Sequence, residues 1–281
     1  MDKVILLNKP AGFTSFDAVA RCRRILHEKK IGHTGTLDPN ASGLLIILAG
    51  KYTKLLQYCT ADHKRYHASF VLGIKTDTED IWGTVIGEKE YRMHDPEELE
   101  QACMRFTGDI LQVPPMYSAI KVNGKKLYEL ARQGREIERQ PRPVTVHALS
   151  VHHTGENRYD MDAEVSSGTY IRTLISDYCE SIGEYGVMSG LERRGIGNVS
   201  LSDAVTLEYL EAHPEYSADV RTVLNPEIGF VTTDKMDYVR NGRDLELESE
   251  REYVCILDGD DIAAVYRRRE NGLYHCERGL F

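Results

Sequence analysis

Twelve residues, Gly32-His33-Thr34-Gly35-Thr36-Leu37-Asp38-Pro39-Asn40-Ala41-Ser42-Gly43, run directly into the apolar stretch Leu44-Leu45-Ile46-Ile47-Leu48. This junction constrains the fold more than any other part of the chain. Three glycines relax the backbone of the loop, Pro39 stiffens the step after the acid, and the apolar run reads as a buried strand that holds the loop rigid. Asp38 is therefore a single carboxylate fixed in a glycine-rich loop at the mouth of a strand. On the residues alone two readings stand side by side: a prepared carboxylate, or a turn in which Asp-Pro-Asn only bonds its own backbone.

The chain has 281 residues, longer than one average domain, so a large core with a smaller appended unit is expected. Hydrophobic residues make up 41% and charged residues 28%, an ordinary balance for a globular protein. No apolar run reaches the roughly 18 residues a membrane span requires, and the N-terminus lacks the features of a secretion signal. A cytoplasmic location is expected. The six cysteines form no C-x-x-C pair and no Cys/His cluster at zinc spacing, so isolated thiols are expected, with neither disulfide nor metal.

A net charge of −9 argues against a polyanionic partner until its distribution is considered. Residues 1–75 carry 12 basic and 5 acidic side chains, residues 76–100 carry 2 and 9, and residues 101–145 carry 8 and 4. The remainder is acidic, with 18 acidic against 9 basic side chains in 201–281. A basic face on an acidic body suits a protein that grips one RNA and repels nonspecific contact. Solvated helix faces would give the same numbers.

Val4–Leu7 reads as a strand, and Thr14 or Ser15 as the cap of a helix to about Glu28. Strands are expected at Leu44–Ala49 and Tyr66–Leu72, around a helix near Lys51–Cys59, and Asp95 as the cap of a helix to Phe106. Further strands are expected at 117–122, 144–153 and 158–165, with helices near 125–133, 169–182 and 201–212. The pattern lacks a βαβ rhythm and suits an α+β fold with a largely antiparallel sheet. Asn225-Pro226 reads as a boundary, beyond which alternating runs such as Tyr253–Leu257 and Ile262–Arg267 are separated by Asn-Gly and Asp-Gly turns. The expected organisation is a domain over 1–224 and a small β-rich domain over 225–281.

Gly32 to Pro39 resembles the catalytic loop of the TruB family of tRNA pseudouridine synthases. Four further segments resemble that family in the same order: Asn8-Lys9-Pro10-Ala11-Gly12-Phe13-Thr14-Ser15, Lys64-Arg65-Tyr66, Gln112 to Lys121, and Gly168-Thr169-Tyr170-Ile171-Arg172. Asn8 stands where an acidic residue is more usual, and Leu191 to Val199 follows a late motif only loosely, with Arg194 and Val199 in place of threonine and phenylalanine.

The resemblance implies a pseudouridine-synthase fold with a central mostly antiparallel mixed sheet flanked by helices, followed by a PUA-like RNA-binding domain, a place that a purely structural β-rich cap would also fill. It implies isomerisation of uridine 55 in the T arm of tRNA, with Asp38 as nucleophile on a flipped-out uridine. That reaction exchanges one glycosidic bond for another without redox change, so no cofactor is expected. Burial would raise the pKa of a lone carboxylate and blunt it, so Asp38 needs a cation. Arg172 is the expected one, unless it is an ordinary helix-surface arginine. The resemblance further implies that Tyr66 lies against the flipped base, its ring for stacking and its hydroxyl for assisting proton transfer, that His33 fills the vacated place in the RNA stack, and that Tyr170 and Leu191 line the pocket. Lys9 and Pro10 are expected to support the loop, and the chain to act as a monomer. His33 and Tyr170 also suit purely structural places.

Other classes fit less well. Gly43–Lys51 contains a Gly-Lys, but its glycines are wrongly spaced for a phosphate-binding loop and no Ser or Thr follows the lysine. A non-catalytic RNA-folding module on the same scaffold, or a synthase acting on another RNA, would share every feature except the dependence on Asp38 or the target.

Overall fold

The structure is a computed structural model that describes residues 2–59, 63–118, 120–122 and 124–281. In chain order, β1 (Lys3–Lys9) and α1 (Ser15–Leu26) lead into β2 (Ile31–His33) and β3 (Ser42–Ala49). A 3-10 stretch, Gly50–Tyr58, precedes β4 (Lys64–Leu72), the hairpin β5 (Ile74–Thr76) and β6 (Val85–Glu88), α2 (Pro96–Phe106) and β7 (Gly108–Gln112). A short ribbon, β8 (Lys121–Val122) and β9 (Lys125–Lys126), leads to α3 (Leu127–Ala131), β10 (Arg142–Gly155), β11 (Arg158–Val165), α4 (Ile171–Ser181) and β12 (Gly186–Ile196). The rest comprises β13 (Val199–Ser200), α5 (Leu207–Ala212), β14 (Gly229–Val231), α6 (Met236–Arg240), β15 (Tyr253–Asp258), β16 (Asp261–Arg268) and β17 (Tyr274–Gly279).

The chain divides into two compact units. The first comprises Met1–Pro39, Leu44–Ala61 and Asn198–Phe281, the second Asn40–Gly43 and Asp62–Gly197.

In the first unit the apolar run of β3 is buried on both faces, and β2 pairs with it antiparallel, Ile31 opposite Ala49 and His33 opposite Ile47. Ile5 and Leu7 of β1, Val19 and Cys22 of α1, Leu45 and Ile47 of β3 and Leu210 of α5 share one core. Each such aliphatic side chain contributes about 1.5–3 kcal/mol by leaving water. From Asn225 onward the chain builds its own four-stranded sheet, β14-β15-β16-β17, around Val239, Val254, Ile256, Tyr266 and Tyr274. Gly259, in the left-handed region at φ 65°, makes the turn that joins β15 to β16.

In the second unit β12, β4, β11, β10 and β7 lie side by side, each pair antiparallel. Ser42 and Gly43 join β12 in parallel at Glu192 and Arg193, which makes the sheet mixed. Every second residue of β4, from Tyr66 to Leu72, is buried. Phe70 stacks on Tyr159 with ring centroids 5.4 Å apart, and Tyr178 of α4 meets Phe70 edge-on while its hydroxyl donates to Leu99 O of α2.

Four expected elements differ. The helix near 125–133 is confined to Leu127–Ala131, because the backbone of Lys125–Lys126 pairs with β8 as β9. The helix near Lys51–Cys59 is a 3-10 helix, because the buried Tyr52, Leu55 and Tyr58 recur every third residue and align only at three residues per turn. The helix near 201–212 is broken into a 3-10 turn, Leu201–Asp203, and α5, because Val205 between them exchanges hydrogen bonds with β1 at Leu6 and Asn8. Of the strand expected at 117–122, Ala119 lies outside the described residues and only β8 is strand. The carbonyls of Ser118 and Ile120 accept instead from Tyr128 and Leu127 at the start of α3. Among the described residues all six cysteines are free, and no helix is long and apolar enough to cross a membrane.

Candidate active site

The loop around Asp38 is fixed from both sides. Lys9, fully buried at the end of β1, donates through Nζ to Pro10 O at 2.9 Å, Phe13 O at 2.6 Å and Pro39 O at 3.3 Å. Pro39 O also accepts from Gly12 N at 2.9 Å. On the other side of the acid, Leu37 N donates to Ser15 Oγ at 2.8 Å, and Ser15 Oγ donates back to Leu37 O at 3.2 Å. An ammonium bonded to carbonyls of two loops fastens one to the other, and charge-assisted bonds of this kind are about twice as strong as neutral ones. Asp38 is thus half-buried between two anchored neighbours. His33 is half-buried on β2, and Thr34 N donates to Ile46 O at 3.1 Å, so the loop leaves the β2–β3 pairing only after residue 34. Pro10 is exposed, and its carbonyl is held by Lys9.

The cap of α1 is Thr14, which accepts from Asp17 N while Asp17 accepts back from Thr14 N. Ser15 is thereby left to hold Leu37.

In the second unit, Arg172 is the second residue of α4 and is 5% exposed. Its Nη1 donates to Thr78 O at 2.8 Å and its Nη2 to Tyr117 O at 2.9 Å. A surface arginine is excluded: the guanidinium ties the turn between β5 and β6 to the segment before β8. Tyr170 caps α4, and the buried Gln112 grips its backbone twice, accepting from Tyr170 N at 2.8 Å and donating to Tyr170 O at 3.1 Å. Beside Arg172, Thr173 donates to Glu79 at 2.6 Å. Burial pushes the Glu79 carboxyl above its usual range, against the pull of Thr173 and Arg172, and burial beside Glu79 and Glu180 pushes Asp177 up to about 6.

Register places Tyr66 opposite Arg193 and Ala68 opposite Leu191. Tyr66, Leu191 and Arg193 therefore share one side of the sheet. Arg193 is 1% exposed, the bulkiest fully buried side chain among the described residues. A Cβ at its parallel partner, Gly43 (φ 106°), would lie 2.6 Å from Arg193 N, so only glycine permits this approach.

Arg193, Gln112 and Glu79 were not singled out from the sequence, and Ser15 was noted only as an alternative to Thr14 for the helix cap. Gln112 and Arg193 sit inside segments already noted for their resemblance, and strand alternation starting at Leu191 would have placed Arg193 on the side of Leu191. Glu79 gave no signal, since its burial comes from a turn with φ 63°. No group of three or more His, Cys, Asp or Glu among the described residues could hold a metal ion.

Residues 23–171 match the profile of the TruB family pseudouridylate synthase (N terminal domain). The chain is 47% identical over 212 residues to tRNA pseudouridine synthase B of Alkaliphilus oremlandii (strain OhILAs), covering 75% of this chain and 71% of that protein. It is 39% identical over 285 residues to tRNA pseudouridine synthase B of Streptococcus pneumoniae serotype 2 (strain D39), covering 96% and 97%. Its fold is similar to a chain of a solved Cbf5-Nop10-Gar1 complex, with a TM-score of 0.70 over 99% of this chain and 85% of that one at 23% identity.

Proposed function

The chain belongs to the TruB family of pseudouridylate synthases, and from that premise we propose that it acts on uridine 55 in the T arm of tRNA, with Asp38 as the nucleophile. It is an isomerase that turns uridine into pseudouridine in tRNA. The reaction breaks the bond from ribose C1′ to N1 of the base and forms one from C1′ to C5; N1 gains a proton and C5 loses one. Neither an oxidant nor an added group enters, so we assign no cofactor. The carboxylate of Asp38 attacks C1′ or C6, and the uracil turns in its pocket before the new bond closes.

The observation that carries this reading is the anchoring of Leu37 and Pro39 on either side of Asp38, which gives one acid a fixed position in an otherwise permissive loop. Lys9 and Pro10 support that loop. We assign Arg172 as the cation for the Asp38 carboxylate, since its planar fork has five donors, enough to serve two carbonyls and an acid together. Tyr66 holds the flipped base, Tyr170 and Leu191 line its pocket, and His33 takes the vacated place in the RNA. We assign catalysis to residues 1–224 and additional RNA contact to a PUA-like domain over 225–281, supported by the separate sheet and core of that segment. We take the protein to work as a monomer in the cytoplasm.

Asp38→Asn tests the assignment. Pseudouridine formation on a tRNA transcript is expected to fall below a thousandth of wild type while affinity stays within about tenfold, because the change removes a nucleophile and few phosphate contacts. Pseudouridine mapping in cells with and without the gene tests the target: loss confined to position 55 is the expected result, and an unchanged position 55 overturns it.

A further inference from the structure

Two phenylalanines flank the cap of α1 and face solvent. Phe16 is 68% exposed and Phe13 is 37% exposed, while the buried face of the helix is formed by Ser15, Ala18, Val19, Cys22 and Leu26. Phe16 lies off that face and adds little to the core. It is nevertheless held near a cation: the Arg23 guanidinium lies 6.0 Å from the Phe16 ring centre. Arg23 is itself anchored, donating through Nη2 to Ile31 O at 3.3 Å, where the strand before the Asp38 loop begins. Phe13 is anchored at the other end of the same loop, because the Lys9 ammonium that holds its carbonyl also holds Pro39 O. The Phe16 ring, through Arg23, and the Phe13 backbone, through Lys9, are thus tied to the two ends of the segment that carries Asp38.

The helix is rich in basic groups. Residues 15–30 carry Arg21, Arg23, Arg24, Lys29 and Lys30 against Asp17 and Glu28, and of these Arg21 is paired with Glu211. Exposed rings beside cations form the surface on which unpaired bases stack while phosphates find counter-charges.

We propose that Phe13 and Phe16 form a stacking platform for an unpaired base of the substrate tRNA, with Arg23 and Arg24 receiving the adjoining phosphates. The proposal rests on tRNA being the substrate. It gives the basic N-terminal region a specific role, since the base on the platform sets the register of the RNA against Asp38 when both ends of the Asp38 loop move with the platform.

The test is steady-state kinetics on a folded tRNA transcript with the full chain. Phe13→Ala/Phe16→Ala is expected to raise KM about tenfold with kcat within twofold of wild type, and the slope of log KM against log salt is expected to stay unchanged, since a phenyl ring neutralises no phosphate. Arg24→Ala is expected to make that slope shallower by about one. Phe16→Trp, which restores a ring, is expected to keep KM within twofold of wild type. A merely structural role would lower the melting temperature and kcat together and would not be rescued by tryptophan. An unchanged KM in the double variant, a loss carried by kcat, or failure of Phe16→Trp overturns the platform. An unchanged KM accompanied by altered self-association would make this face a protein contact instead, and overturns it equally. If the wild-type chain makes no pseudouridine on that transcript, the proposed function falls; the dissociation constants of the same variants for the same tRNA then decide the platform independently.

Discussion

Lys9 and Arg172 are both buried cations, one in each unit, and they are held in contrasting ways. The Lys9 ammonium meets carbonyls of the loops that begin at Pro10 and pass through Pro39, all in its own neighbourhood. Its charge stitches backbone together. Arg172 stands at the start of a helix and reaches outward to the Thr78 and Tyr117 carbonyls, which lie 94 and 55 residues away along the chain. A compact ammonium suits the first arrangement and a planar, multidentate fork the second. The comparison teaches that burial alone does not mark a catalytic cation. What matters is whether the geometry of its donors can serve a substrate-facing group as well as the fold.

The contrast breaks most visibly at Arg172. Arg172→Ala is expected to cut single-turnover pseudouridine formation about a thousandfold, and Arg172→Lys to recover little, because one ammonium cannot reproduce the two-pronged hold on Thr78 and Tyr117. Near-wild-type turnover by either variant would reduce Arg172 to a structural tie. Tyr66 follows. Tyr66→Leu is expected to lose about a hundredfold in the same assay, the scale of one proton-transfer group or one lost stacking surface combined with misplacement of the base. Tyr66→Phe then sorts the two roles: a loss as deep as that of Leu assigns the hydroxyl to proton transfer, a small loss assigns the ring to stacking, and full activity in Leu removes Tyr66 from the site.

Lys9→Met sharpens the comparison from the other side. Without its charged donor, the Pro10 and Phe13 carbonyls lose this bond and Pro39 O keeps Gly12 N, which costs about 2–4 kcal/mol of stability, a fall of several degrees in melting temperature. Turnover below the melting transition is expected within about tenfold of wild type. A protein of full stability and no activity would instead put Lys9 in contact with the substrate.

The two sides of this comparison were not equally legible in the sequence. Asp38, Lys9 and the strand Leu44–Ala49 lie within 41 residues, so glycine placement, a proline and one apolar run were enough to place the acid in a rigid loop. The surroundings of Arg172 come from segments far apart in the chain. Gln112 grips Tyr170 across 58 residues and Glu79 meets Thr173 across 94, and no local periodicity announces such pairs. The broken helix at 201–212 failed for the same reason, since pairing with β1 overrode local helix preference at Val205. At Gly50–Tyr58 the expected helix is present, and its 3-10 form is legible in the three-residue spacing of Tyr52, Leu55 and Tyr58.

The smallest effect concerns a carboxyl further along the helix that carries Arg172. Asp177 is half-buried on α4, and burial, then the neighbouring Glu79 and Glu180 carboxylates, push its carboxyl from the ordinary 3.8 up to about 6. A carboxyl raised in the folded state binds its proton more tightly there than in the unfolded chain. Its contribution to stability is therefore fully present below pH 3.8 and is lost as pH rises through about 6. At pH 8 the ionised group is a net burden, reduced by solvent screening to about 1 kcal/mol. Asp177→Asn removes the charge and keeps the shape, so it is expected to raise the melting temperature by about 2–4 °C at pH 8. The advantage should shrink steadily below pH 6 and vanish near pH 4, where the wild-type carboxyl is itself protonated. Melting curves of both proteins across pH 4–8 measure this directly. A gain independent of pH would point to packing rather than charge, and a loss at pH 8 would mean that the Asp177 carboxylate is compensated by a cation such as Lys75, which already pulls its pKa down.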